Sequence, residues 1–500
     1  MNSNLLPLHQ KINQRVGHIA VPYKGKLLVW GGYMEFSDPS ESETHHHATD
    51  ELFVYETHSE LWERKLLKGD IPPRSSGGCG VVLGDTLYIF GGKEIGVVRT
   101  EFEFDGNIND LYALNLITMT WSLLKPKGTP PIPCEKLVGW EHGGKLYFFG
   151  GFGPIPDRHV FFHYVIDDET GSAWNNQFFG YNPITNNWEW PYVNGEPPSP
   201  RAAHAGDKCG HRIFISGGRL KTVRKNDLYV LDMDTMVWSG NINESAEYVP
   251  PGRSWHSFTF ISPHRAVLYG GFSTYNNVLN DCWFVDILAN EENLADECAT
   301  INERRWKVQY ILPPHAQRFC LRRFWHKTVF LEKTGDLICF GGFNRFNNPP
   351  LIVIHGDDEE SVQDQDLKPV NDCWILEIPD ISVEKLPSAV WREYKLPYDF
   401  GEPRCAHAAC IVGISFPESS ELEEPRMVIV GGLTQPFYET AMKLKDHTNV
   451  MLTIHFRPLT LLRLSLNATL KYHKKNRNLW ETLPHSLQAL LNRRFSQIYP

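Results

Sequence analysis

Two arginines five residues apart, Arg219 and Arg224, follow directly on Gly217-Gly218 in the stretch GGRLKTVR, with Lys221 and Lys225 alongside. A guanidinium presents a planar fork of N–H donors that matches a carboxylate through paired hydrogen bonds. Two of them on one short loop therefore make a candidate anion site. They run against the chain's balance: 49 Lys and Arg against 59 Asp and Glu leave 500 residues with a formal net charge of −10. That acidity argues against a general binder of nucleic acid or anionic membranes, which needs a basic surface. The residues alone leave two readings open: an anion docks here, or each arginine pairs with an acidic side chain nearby.

Other reactive residue types offer less. The ten cysteines sit mostly in apolar, strand-like segments such as LICFGG and NDCWFVD, and no Cys-x-x-Cys pair occurs. Reduced, buried thiols are expected, with no structural zinc site of the usual spacing. His45 to His47 could bind metal, but their polar surroundings lack a nearby cysteine and read as a solvated loop. Neither a Glu-x-x-x-Asp-x-x-x-His iron arrangement nor a Gly-x-Ser-x-Gly nucleophile elbow is present. A non-enzyme without catalytic residues, metal or cofactor is expected. The opening stretch MNSNLLPLHQKINQRVGH holds no apolar run long enough for a signal peptide or a spanning helix, and none follows. A cytoplasmic or nuclear protein is expected, with no nucleic-acid or membrane partner.

The elements that position the arginines are legible as a repeat. A Gly-Gly pair after an apolar run recurs seven times, beginning at Gly31, Gly91, Gly150, Gly217, Gly270, Gly341 and Gly431. A second strand-like run follows most pairs, as in NDLYVLD and NDCWILE, and a tryptophan opens a third, as in TWSLLKP and VWREYKL. Arg-x-x-His often precedes the next pair: Arg15/His18, Arg201/His204, Arg253/His256, Arg323/His326 and Arg404/His407. Short β-runs between turn residues, repeating every 53 (Gly217 to Gly270) to 90 residues (Gly341 to Gly431), describe four-stranded blades. The order resembles the kelch repeat, and the resemblance implies an all-β kelch β-propeller over residues 15–456. Seven Gly-Gly units suggest seven blades. The last unit has no following Trp, so the N-terminal segment could close the ring, and six blades is the alternative count. The acidic run at 356–366 reads as a solvated loop.

The repeat also separates fold from function. Arg253 recurs in phase and is expected to brace neighbouring blades. The residues after the Gly-Gly pairs are Tyr33, Lys93, Phe152, Arg219, Phe272, Phe343 and Leu433. Arg219 is the only arginine among them, and Arg224 has no counterpart. In antiparallel blades the residues after Gly-Gly share one face with those around Arg-x-x-His. That face would gather Arg219 and Arg224, Ser254 and Trp255, Lys136, Phe152, and Trp174 in a long loop. Cations, a hydroxyl and aromatic walls suit a small anion on an extended peptide, each charge-assisted bond contributing roughly 1.5–3 kcal/mol.

After residue 456 the β pattern stops. Leu462, Leu466 and Leu470 form an i, i+4, i+8 helical stripe, and Pro484 opens a second segment with Leu483, Leu487, Leu490 and Leu491 on one side. A helical hairpin packed on its own propeller is one reading, and an apolar face for another protein is the other. Thr460-Leu461-x-x-x-Ser465 resembles an elongin-binding BC box, with serine where cysteine is frequent. Leu483-Pro484-x-x-Leu487-x-x-x-Leu491 resembles a cullin-2 box. Both, in order, after a kelch propeller, resemble the kelch domain-containing protein 2 family, substrate receptors of cullin-2 RING ubiquitin ligases that bind C-terminal degrons of the Gly-Gly type. The resemblance implies that Arg219, Arg224 and Ser254 hold the degron carboxylate and that Lys136, Phe152, Trp174 and Trp255 line its pocket. Phe152 stands where that family has tyrosine. It also implies elongin B/elongin C binding through Leu461 and Ser465, and cullin-2 binding through Leu483, Pro484, Leu487 and Leu491, in a docking segment at 457–500. The ending SQIYP, with bulky Tyr499 and Pro500, is expected to be a poor ligand for a glycine-shaped pocket. The competing expectation is a kelch scaffold without ligase docking.

Overall fold

The computed structural model describes residues 14–94, 106–289, 306–345, 367–434 and 452–455, apart from 38–41, 57–60, 158–159, 276, 313–321, 333, 383–388, 397–402 and 413–425. Of the tail it describes 465, 469, 472, 477–485, 487–488, 491–492 and 495. Each Gly-Gly pair falls at or just after the second strand of a small antiparallel sheet. In blade one the strands are Ile19–Tyr23, Lys26–Trp30, Glu51–Glu56 and Leu61–Leu66, in that order from the inside out. Blades four, five and six repeat this order, starting from Ala205–Cys209, Ser257–Ser262 and Lys327–Leu331. Blade two adds a parallel outer strand, Lys68–Gly69. Blade seven comprises Ala408–Val412, Arg426–Val430 and Leu452–His455 among the described residues.

The sheets stack face to face, so the core is a set of layers between blades. Phe90 of blade two packs on Phe148, Phe179 and Trp188 of blade three. Leu27, Val29, Phe53 and Tyr55 of blade one pack on Val428 and Val430 of blade seven, which closes the propeller. Each such side chain contributes roughly 1.5–3 kcal/mol by leaving water.

The Gly-Gly pair is the joint between blades. Gly270 and Gly271 have φ of 62° and 106°. A Cβ on Gly270 would sit 3.0 Å from the His326 ring of the next blade, and one on Gly271 would sit 2.8 Å from Cβ of His256 in its own. The second glycine's N–H donates to the carbonyl of the next blade's arginine: Gly218 to Arg253 (2.9 Å), Gly271 to Arg323 (2.8 Å), Gly432 to Arg15 (3.0 Å). The arginine side chain behaves differently from the expected brace between blades. Arg253, 2% exposed, turns inward to its own blade, donating to Gly270 O (2.9 Å) and to both oxygens of Asp281 (2.9 and 2.7 Å). The fork fits the aspartate that leads the third strand, so only the main-chain carbonyl reaches across. Blades two and three place Ser75 and Cys134 at the arginine position.

His45 and His46 are not in a loop. The strand Ser42–His46 pairs with Tyr33–Ser37, and His47 Nε2 contacts Gln14 O at 2.6 Å. In the tail, Thr469 Oγ1 donates to Ser465 O (2.8 Å) in a helical turn, and the Pro484 carbonyl accepts from Leu487 (2.9 Å) and Gln488 (3.0 Å). Leu491 is 1% exposed against Trp480, with Leu483 and Phe495 beside it. Leu461, Leu462, Leu466, Leu470, Leu490 and the run at 356–366 lie outside the described residues. Among the described residues no helix is long and apolar enough to cross a membrane, and no group of three or more His, Cys, Asp or Glu could hold a metal ion.

Candidate functional site

Every blade crosses one rim of the propeller through the two residues between its arginine and histidine positions. The first of the two pairs with the residue after Gly-Gly: Val16 with Tyr33, Ser76 with Lys93, Glu135 with Phe152, Ala202 with Arg219, Ser254 with Phe272, Phe324 with Phe343, Cys405 with Leu433. The second has positive φ throughout: Gly17, Gly77, Lys136, Ala203, Trp255, Trp325 and Ala406. Their amides bond from blade to blade, Lys136 to Gly77 O (3.0 Å), Trp255 to Ala203 O (3.2 Å), Trp325 to Trp255 O (3.2 Å) and Ala406 to Trp325 O (3.3 Å).

On this rim the strands Arg219–Leu220 and Val223–Arg224 form a tight hairpin turned at Lys221 (φ 52°), with Arg219 directly opposite Arg224. Like charges facing each other across a ladder destabilise it. Among the described residues neither guanidinium meets a carboxylate. Arg219 Nε donates to Lys221 O (2.6 Å) and an Arg224 terminal nitrogen to Thr222 O (2.8 Å), both within the hairpin. Asp168 pairs with Lys221 of the same hairpin at 3.4 Å. Burial, and then the charge of Arg219, lower the Arg224 pKa. Thr274 Oγ1 accepts the Arg224 amide (2.8 Å) and fixes the hairpin to blade five, where the guanidinium lies 5.3 Å from the Phe272 ring. Ser254, paired with Phe272, is 0% exposed, and its hydroxyl has no hydrogen-bond partner among the described residues. Leaving a buried hydroxyl unmatched costs about 1–3 kcal/mol.

The remaining expected residues fall into two groups. Phe152 and Trp174 pack with ring centroids 5.0 Å apart, and Trp174 belongs to the long strand Ser172–Asn182, not to a loop. Trp255 packs tilted against Phe272 (6.1 Å) and edge to face with Trp325 (5.1 Å). Lys136 is on the rim, but its Nζ donates to Glu135 Oε1 (2.8 Å), a carboxylate only 8% exposed. Glu135, Thr274 and Trp325 were not singled out from sequence. Glu135 and Trp325 become visible once the two residues inside each Arg-x-x-His are read in phase. Thr274 carries no such signal.

The sequence matches the family described as the KLHDC2/KLHL20/DRC7 Kelch-repeats domain over residues 17–271 and 208–446. The chain belongs to this kelch-repeat family. Among kelch relatives, Kelch domain-containing protein 1 of Mus musculus is 34% identical over 342 residues, 66% of this chain and 75% of that protein. Kelch domain-containing protein 2 of Bos taurus is 33% identical over 361 residues (68% and 78%), and that of Homo sapiens 32% over 360 (68% and 78%). The kelch repeat accounts for the seven joints, and short antiparallel pairs follow the glycines in blades one, two, four and six, so the facing arginines, not the hairpin, set blade four apart.

Proposed function

We propose that this kelch protein is the substrate-recognition subunit of a cullin-2/elongin B–elongin C RING ubiquitin ligase, holding the free C-terminal carboxylate of a degron on its rim. One observation carries the reading: two arginines face each other with no carboxylate partner among the described residues, beside a buried serine hydroxyl that also lacks one. A terminal carboxylate would take paired bonds from the guanidinium groups, relieve their repulsion and satisfy Ser254. Phe152, Trp174 and Trp255 would wall the bound end. The chain itself would be a non-catalytic adaptor, ubiquitin transfer belonging to the partner ligase. The segment 457–500 would dock elongin through Leu461 and Ser465 and cullin-2 through Leu483, Pro484, Leu487 and Leu491. Burial of Leu491 against Trp480 favours the alternative, a scaffold whose tail serves only itself, at that one position.

The test is binding of fluorescent peptides ending in Gly-Gly or in other residues, as free acids and as amides. Wild type should bind a free acid at least about tenfold more tightly than its amide, and Arg219→Ala/Arg224→Ala should abolish the difference. Equal binding of acid and amide throughout would remove the carboxylate reading. Elongin pull-down with and without residues 460–491 then separates a ligase receptor from a scaffold.

A further inference from the structure

The rim supplies its own control. At all seven positions the backbone is left-handed, and in four the residue is Gly17, Gly77, Ala203 or Ala406. Glycine or alanine is therefore sufficient for the joint. Trp255 and Trp325 hold the same conformation, at φ 54° and 53°, where bulky side chains are disfavoured. Backbone strain that the fold does not require points to function. The two indoles lie 5.1 Å apart, edge to face, and both stay half-buried. Beneath them Phe272, Phe324 and Phe343 form an aromatic floor, with centroids 5.2 Å and 5.4 Å apart in succession. The rim residues on either side, Ala203 and Ala406, are small. The floor starts where the arginines end: Ser254 immediately precedes Trp255, and Phe272, 5.3 Å from the Arg224 guanidinium, is 6.1 Å from Trp255.

We propose that the ligand of this rim is a peptide with a free C-terminal carboxylate whose last or next-to-last residue carries a large apolar side chain, aromatic foremost, laid on Trp255 and Trp325. The proposal rests on the carboxylate reading above and departs from the Gly-Gly ends that the family resemblance implies. An extended chain advances about 3.3 Å per residue, so with the carboxylate on Arg219 and Arg224 the final two side chains are the ones beside the indoles. A Gly-Gly end would leave both indoles wet in the complex. An aromatic side chain would bury their faces and its own.

Peptides identical but for their ends, -Gly-Gly, -Phe-Gly and -Gly-Phe, each as acid and amide, are titrated by fluorescence polarisation against the full chain and its Trp325→Ala variant. Alanine at this position keeps the rim backbone, since Ala203 and Ala406 adopt the same conformation at φ 55° and 51°. At least one Phe-containing acid should bind about tenfold more tightly than the Gly-Gly acid. Trp325→Ala should remove most of that advantage and leave the Gly-Gly acid within about twofold of its wild-type affinity. A Gly-Gly acid as tight as both Phe peptides, or an advantage that survives Trp325→Ala, overturns the inference and leaves the carboxylate reading standing. Equal loss of every acid in a variant with wild-type circular dichroism also overturns it. If no acid outbinds its amide, the carboxylate reading falls and the inference falls with it.

Discussion

Glu135 occupies the place in blade three that Ser254 holds in blade five, since each pairs with the residue after its own Gly-Gly. Its carboxylate holds Lys136, the one cation among the seven rim residues, in a 2.8 Å ion pair. Lys136 therefore adds little net positive potential while Glu135 is charged. Glu135→Gln should release it and tighten binding of carboxylate-ended peptides by about threefold at low salt, the size of a partly exposed ion pair, with the gain screened as salt rises. Polarisation titrations at two salt concentrations check this, and unchanged affinity would mean that Lys136 stands too far from the bound end to matter. The arginines were legible in the sequence because they break phase. Glu135 was not, because an acidic residue beside Lys136 gives no sign in sequence that the two side chains pair.

Within a blade the buried guanidinium-carboxylate pair sets the geometry, and it recurs as Arg201–Asp227, Arg253–Asp281 and Arg323–Asp372. In blades five and six the aspartate also accepts the indole N–H two residues on, from Trp283 and Trp374, each at 2.7 Å. Asp281→Ala should cost about 3–5 kcal/mol, because Arg253 would be left charged and buried with one partner removed. Glu377→Ala, which breaks the solvent-exposed pair with Arg392, should cost less than about 1 kcal/mol. Urea unfolding of the two variants makes the comparison, and equal costs would refute a structural role for the buried pair. Strands with an apolar pattern were readable from sequence. Those with a polar one were not: in Ser172–Asn182 the stretch Asn175-Asn176-Gln177 is buried, Asn176 donating to Pro198 O (2.8 Å) and Gln177 to Ile132 O (3.1 Å). A strand that satisfies buried amides through side-chain bonds looks like a loop in one dimension. The strand Ser42–His46, which pairs with Tyr33–Ser37, is likewise polar in sequence.

Across the whole molecule the histidines of the joints form a titratable set. His18 and His204 are held down to about 3, by burial first and then by the charge of Arg15 or Arg201. His256, His326 and His407 are pushed well below the usual value by the same causes. All are neutral in the fold, and unfolding restores a pKa near 6.5. Their contribution is complete above about pH 6.5 and is lost as pH falls toward 3. Each adds a slope of up to about 1.4 kcal/mol per pH unit, because the unfolded chain binds the extra proton. Urea midpoints should therefore drop steeply from pH 7 to pH 5, above the range in which most carboxylates titrate. Midpoints level across that interval would refute neutral burial of these rings.

The seam between blade one and blade seven has a consequence in time. Every other blade meets the neighbour that precedes it in the chain as soon as it is made. The apolar face of Leu27, Val29, Phe53 and Tyr55 waits for Val428 and Val430, which are made only after all the intervening blades. A nascent or truncated chain lacking the last blade keeps that sheet surface open to water and to other chains, the condition in which β-rich intermediates associate wrongly. The first blade made is thus the last to be sheltered.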